Sequence, residues 1–327
     1  MSKLVHTPPP HLKAEDTVSK AMRDVILALI PVSIFAILIH GVDALVTILV
    51  CLAAAAVTEL IFRKVMRKKP SLNDYSALLT GLLVALCFSA GVAWWVAALA
   101  TFIGVGIGKE LMGGLGWNRF NPALLGRVSV FLIPSVFYFL RPYFEGITLS
   151  TWSVDATTQG TPLAMLQQGG ELPGILEMLV WSESAGAMVE TSPLMVIIGG
   201  AYLLYRGHIG WRIPATMLGA IIVLSAVLGG NPLMHLLAGG TLLGALFMAT
   251  DWVTSPITDN GKIIFGIAIG VLVIIFRFFT PAVEGVAFGI LIMNAFVPLI
   301  EKWTRRPSFS EPKPSAAAAG KGAAAAK

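Results

Sequence analysis

Apolar residues fall in long, nearly unbroken blocks along this chain, without the alternation of a half-buried strand or the narrow stripe of a soluble helix. A helix of about 20 apolar residues crosses the hydrocarbon core of a bilayer, and fewer suffice where a broken helix is covered by protein. On that measure the sequence predicts ten spans, at about 22–40, 43–62, 76–90, 92–109, 121–140, 192–205, 213–229, 233–250, 263–279 and 284–301. The expected fold is an all-α membrane protein of about ten transmembrane helices. Its parts are an N-terminal segment 1–21, a membrane half 22–140, a polar interval 141–190, a second membrane half 191–302 and a low-complexity tail 303–327.

Two features organise these spans further. GLLVALCFSA at 81–90 and TLLGALFMAT at 241–250 share Leu, Leu, Ala and Leu at matching places, 160 residues apart. Span three would run outward and span eight inward, so the expected arrangement is two inverted five-helix repeats with broken helices, a plan that puts binding sites between the halves. The interruptions lie in GKELMGGLGWNRFNPALLGR at 108–127 and NPLMHLLAGGTLLGALFMATDWVTSP at 231–256. Gly113, Gly114 and Asn121-Pro122 predict a broken, protein-covered element between the halves; close helix packing is the other reading of such glycines. Asp74 and Asp251 read either as helix-end caps or as functional carboxylates, and His235 as a hydrogen-bonded packing residue.

Composition agrees with the pattern. The chain is 56% hydrophobic and 13% charged, where soluble domains carry roughly 25% charged residues. Net charge +5 does not point to nucleic acid, because the basic residues sit in short loops between apolar blocks. Arg63, Lys64, Arg67, Lys68, Lys69, Lys109, Arg119, Arg206, Arg212, Lys302, Arg305 and Arg306 all fall on the side of the N-terminus. The positive-inside rule makes that side cytoplasmic, with both termini, and leaves 141–190 outside. Arg277 is the exception, expected to snorkel or to pair with Glu284. Cys51 and Cys87 lie within apolar spans, and the polar N-terminus has no apolar core of a removable signal peptide. Neither a metal-ligand HExxH, nor a GxSxG elbow, nor a phosphate-cradling GxxxxGK[ST] occurs.

The stretches NDYSALLTGLLVALCFS at 73–89, GKELMGGLGWNRFNPALLGR at 108–127 and GGTLLGALFMATDWVTSP at 239–256 resemble a family of integral-membrane flavin subunits. Its branches are the D subunit of Rnf-type complexes and the B subunit of sodium-pumping NADH:quinone oxidoreductases, and the compact length looks more like the first. In that family an outward-facing threonine is joined through a phosphoester to flavin mononucleotide (FMN) by a separate flavin transferase. The attachment signal reads Asp, two variable residues, Ser or Thr, usually Gly and Ala, then the acceptor Thr. Matched by position in DATTQGTPL, Asp155 and Thr158 fit and Thr161 is the acceptor, with Gln159 where Gly is usual and Gly160 where Ala is usual. Trp252 likewise stands where proline commonly follows the aspartate of the third stretch.

The local chemistry is compatible. Gly160 lets the backbone approach what Thr161 carries, and Pro162 biases Thr161 toward an extended conformation. A free threonine hydroxyl is a poor nucleophile, so a separate enzyme has to activate it. Read without the resemblance, the same residues are a polar turn beside a short helix. The resemblance implies a component of a translocating oxidoreductase in a bacterial cytoplasmic membrane, not catalytic alone, whose partner subunits handle ferredoxin and NAD. It would relay electrons through FMN and couple them to Na+ or H+ movement. It also raises a second, non-covalent flavin such as riboflavin among the helices. The alternative is an inverted-repeat channel or secondary transporter without flavin.

Overall fold

Helices account for every regular element of the computed structural model, which describes residues 17–69, 71–140, 174–181, 186–280 and 285–305, with 133–140 as backbone alone. The first half contains α1 (Val18–His40), α2 (Val42–Val65), α3 (Ser76–Cys87), α4 (Trp94–Phe102) and α5 (Pro122–Leu140). α4 continues without a stop into a widened π-helix, Ile103–Leu111. After the short α6 (Ile175–Val180), the second half contains α7 (Pro193–Tyr205), α8 (Arg212–Val227), α9 (Pro232–Leu237), α10 (Thr241–Leu243), α11 (Asp259–Phe279) and α12 (Gly285–Thr304). α10 also runs into a π-helical stretch, Gly244–Met248.

Among the described residues, five helices are long and apolar enough to cross a membrane, counting Trp94–Leu111 as one, and four shorter apolar helices stand beside them. Only 33% of the apolar window of α1 or of α2 is buried, and Leu38, Leu49, Val57 and Ile61 point outward. In water such faces would be aggregation surfaces; in lipid they are the expected exterior. Trp94, Trp117, Trp211 and Trp303, all exposed near helix ends, suit the headgroup level. The chain is a multi-pass membrane protein.

The helices coincide with the predicted spans to within a few residues, except at the eighth. There 233–250 is interrupted, as the reading of 231–256 as a broken stretch anticipated: α9 stops at Leu237, and Gly239 and Gly240 take φ of +68° and +63° before α10 begins. Helix starts follow the local sequence. Asn121 and Asn231 each precede a proline, and each side chain accepts from backbone N–H groups of the first turn, with proline at the position whose N–H would be unpaired anyway.

Neighbour relations in the two halves correspond. α2 packs on α3 and α4, and α4 on α5; α8 packs on α9 and α11, and α11 on α12. The halves join through α1 against α7 and α5 against α12. That is the pattern a duplicated five-helix unit produces.

Arg277 does not snorkel, and its other expected partner, Glu284, lies outside the described residues. It is 3% exposed and donates to the carbonyls of His235 (2.5 Å) and Ala238 (3.0 Å) and to Thr241 Oγ1 (2.7 Å). A cation on the carbonyls left open where α9 ends explains why an arginine is held there. His235 does pack, 5.2 Å from the Phe278 ring, yet neither ring nitrogen has a hydrogen-bond partner among the described residues. The expectation of a hydrogen-bonded histidine is corrected accordingly.

Candidate functional site

The three motif stretches of the sequence meet at one place. Residues of 73–89, 108–127 and 239–256, with α1 and the α7–α8 turn, line an open cavity between the halves. Leu79, Leu83, Pro122, Leu246 and Phe247 form apolar walls, while Ser76, Thr80, Lys109, Asn118, Asn121 and His208 bring polar groups to the same space.

Asn121 ties the walls together. Its Nδ2 donates to Met248 O (3.3 Å), a carbonyl at the end of the second π-helix. The amide oxygen of Asn294 in α12, oriented to satisfy its neighbours, accepts from Asn121 N (3.0 Å), and the Asn294 nitrogen donates to Thr254 O (3.1 Å). Within 108–127, Asn121 and Pro122 are buried between the halves and Gly114 is buried, as expected, whereas Gly113, Gly116 and Trp117 are exposed, so the covered part of the broken element is narrower than the glycines suggested. Gly113, Gly114 and Gly116 have φ of +126°, +101° and +91°. At Gly114 a Cβ would also meet Arg63 Nη2 at 3.0 Å, so a side chain there would be both strained and crowded.

Lys109 is a buried cation of the cavity wall. Its Nζ lies 2.6 Å from Ser76 Oγ, 3.2 Å from Glu59 Oε2 and 3.6 Å from Glu110 Oε1. Arg63 Nε pairs with Glu110 Oε2 at 2.7 Å, and Ser71 donates to Glu59. Two carboxylates and two cations alternate, the arrangement that makes buried charge tolerable. The π-helix over 103–111 keeps Lys109 and Glu110 both buried; widened turns of this kind recur at functional sites. Lys109 is thus corrected from a loop lysine to an interior one.

On the opposite wall, Asp24 of α1 receives three donors on one oxygen. Arg206 Nε and Nη2 lie 3.1 and 2.8 Å from Asp24 Oδ2, and His208 Nε2 lies 2.8 Å from it. Trp252 Nε1 donates to the carbonyl of His208 at 2.6 Å. The two aspartates singled out from sequence close local turns and are not helix N-caps: Tyr75 precedes α3, and Thr258 caps the helix after Asp251. Asp74 Oδ1 accepts from Ser76 N (2.8 Å) at the start of α3; Asp251 accepts from Val253 N (3.2 Å) and Thr254 Oγ1 (3.1 Å) while also lining the cavity.

The residues of the attachment signal, Asp155, Thr158, Gly160, Thr161 and Pro162, lie outside the described residues. Within the described parts of the polar interval, 174–181 and 186–190, α6 packs its Met178 against Met234 and Ala238 at the break after α9. Sequence reading did not single out Glu59 or the Lys109–Glu110 pair as a buried cluster. A glutamate inside LAAAAVTELIF and an adjacent opposite pair at the end of an apolar block were the available signals.

A match to the NQR2, RnfD, RnfE family spans residues 5–310. The chain belongs to that family. Among its relatives, the D subunit of a proton-translocating ferredoxin:NAD(+) oxidoreductase complex from Clostridium ljungdahlii is 37% identical over 322 residues, covering 92% of this chain and 94% of its own. The D subunit of a Na(+)-translocating ferredoxin:NAD(+) oxidoreductase complex from Acetobacterium woodii is 35% identical, covering 93% and 94%. The D subunit of an ion-translocating oxidoreductase complex from Stutzerimonas stutzeri is 35% identical, covering 90% and 92%. The two relatives whose names specify an ion differ in that ion at almost equal identity, so overall likeness does not select between sodium and proton.

Removing one member of the buried charge cluster should be costly. Lys109→Met leaves Glu59 and Glu110 buried with only Arg63 to balance them, an expected loss of about 3–5 kcal/mol. The loss is read as a lower melting temperature of the detergent-solubilised protein, with much of it restored in the Lys109→Met, Glu59→Gln double variant. A single variant as stable as its parent would contradict the pairing.

Proposed function

We propose that this protein is the D-type membrane component of an ion-translocating ferredoxin:NAD+ oxidoreductase complex, passing electrons through flavin and coupling their passage to Na+ or H+ movement. The observation that carries the reading is likeness to proteins of that name over nine-tenths of the chain, joined to the attachment signal DATTQGTPL. In this reading Thr161 carries FMN through a phosphoester on the outer side of the bacterial cytoplasmic membrane, a separate flavin transferase installs it, and both termini are cytoplasmic. A flavin supplies the electron chemistry, and the protein sets its place, exposure and potential. A covalent tether at Thr161 fixes that place without demanding tight binding.

The cavity between the halves is the proposed place for a second, non-covalent flavin such as riboflavin. Its residues fit such a molecule: apolar walls from Leu79, Leu83 and Phe247 suit a flat heteroaromatic ring system, and Asn118, Asn121 and His208 suit its polar edge. Lys109 would bring positive charge to the same space. Ion and electron paths would then meet between the halves, where inverted-repeat proteins hold their ligands.

The test is the protein band in a denaturing gel, after expression with an active flavin transferase, viewed under ultraviolet light. Covalent flavin survives denaturation, so a fluorescent band is expected. A dark band would favour a transporter that needs only the helices. Labelling of Gly170→Cys by an impermeant thiol reagent, in a background lacking Cys51 and Cys87, checks the side of 141–190; labelling of Met66→Cys instead would reverse it.

A further inference from the structure

We infer that Trp252 and Asp24 are positioning residues that present His208 as a hydrogen-bonding contact to the ligand of the cavity between the halves. The inference rests on the proposed flavin in that cavity.

His208 belongs to a turn between α7 and α8, where a residue needs only a suitable backbone. Instead it is held from three directions. Its N–H donates to Leu203 O (3.1 Å), its carbonyl accepts from Trp252 Nε1 (2.6 Å), and its ring Nε2 meets Asp24 Oδ2 (2.8 Å). The side chain is 6% exposed, and the residue lines the cavity with Trp252 beside it. Asp24 is itself pinned by Arg206, so the imidazole is held by an anchored carboxylate.

That anchoring decides what the ring can offer. In a neutral imidazole one nitrogen donates and the other accepts, and the partner of the first selects the second. In the neutral ring with Nε2–H given to the Asp24 carboxylate, Nδ1 is the acceptor. A flavin ring system carries an imide N–H between two carbonyls, a donor that such an acceptor matches. Apart from Lys109, Asp251 and Trp252, the other side chains of the cavity are apolar or are amides and hydroxyls, so His208 adds a distinct contact.

Trp252 gives the arrangement its individuality. Its indole N–H is the donor that holds the His208 carbonyl, and a proline at this position would have no side-chain N–H to do so. The three anchors come from α1 of one half and from α7 and the 251–255 turn of the other. His208 is therefore set by the relation of the two halves and not by its own turn alone.

The experiment uses the purified whole complex, stripped of non-covalent flavin and titrated with riboflavin, whose fluorescence and absorption spectrum report binding. His208→Ala should weaken binding about tenfold, the effect of one buried hydrogen bond left unmade, and shift the spectrum of the bound flavin. Trp252→Phe, which keeps the ring and removes the donor, should weaken binding in the parent. In the His208→Ala background it should have no further effect, because it acts through His208. His208→Gln, which keeps an acceptor, should recover part of the affinity. Unchanged covalent flavin and co-purification of the other subunits report an intact fold in each variant. Equal weakening by Trp252→Phe in both backgrounds, or unchanged binding and spectrum in His208→Ala, overturns the inference while the flavin site stands. A parent complex that binds no riboflavin overturns both.

Discussion

Thr161→Ala is expected to abolish covalent flavin completely while the helices fold and assemble. The signal residues Asp155 and Thr158 stand six and three positions before Thr161, and only the hydroxyl of Thr161 occupies the acceptor position. Surface substitutions away from packed features stay within about 0.5 kcal/mol, and the stability readouts separate loss of fluorescence from unfolding. The helical content and melting temperature of the variant should match the parent. Thr157→Ala should leave attachment intact, because that position is variable in the signal. Thr161→Ser keeps a hydroxyl and tests whether the transferase also reads the methyl group. Ferredoxin-dependent NAD reduction by the assembled complex should disappear with the flavin in Thr161→Ala; undiminished electron transfer would remove FMN from the path.

Gly199→Ala is expected to destabilise the junction of the two halves more than almost any other single methyl. A Cβ at Gly199 would sit well inside van der Waals contact with the carbonyl oxygen of Ala28, 3.1 Å from its carbonyl carbon and 3.2 Å from Phe247 Cζ. The Ala28 atoms are backbone, so no rotamer change relieves the clash, and α1 and α7 would have to separate. Overpacking of this kind costs about 3 kcal/mol, read as a fall in melting temperature and poor recovery of the complex. Gly219→Ala is the control. Nothing lies within 4 Å of a Cβ there, and the change should stay within about 0.5 kcal/mol. Equal stability of the two variants would contradict the close crossing of α1 and α7.

The plan of the fold was legible because it is written in local terms. Long apolar blocks set the helices, and the Asn-Pro pairs at 121–122 and 231–232 marked two starts. The break after α9 was also present, as Gly239-Gly240, but an apolar run on both sides made one continuous helix look equally good. What stayed hidden depends on partners distant in sequence. Lys109 reads as a loop lysine until Glu59, fifty residues earlier, is brought beside it. Arg277 reads as a misplaced charge until the end of α9 offers its carbonyls. Trp252 had no physical account from sequence, because its partner is a backbone carbonyl in the turn at His208. Of the candidate site, the three motif stretches were visible as motifs, but nothing local showed that they enclose one cavity with α1 and the α7–α8 turn. The attachment signal is the reverse case: Thr161 is legible in the sequence, and it lies outside the described residues.

The most direct measurement is peptide mass spectrometry across 141–190 of protein made with an active flavin transferase. The account predicts a flavin-phosphoryl mass on Thr161, with Thr157 and Thr158 unmodified. A modified Thr157 or Thr158 beside an unmodified Thr161, or an interval carrying no flavin at all, would contradict it.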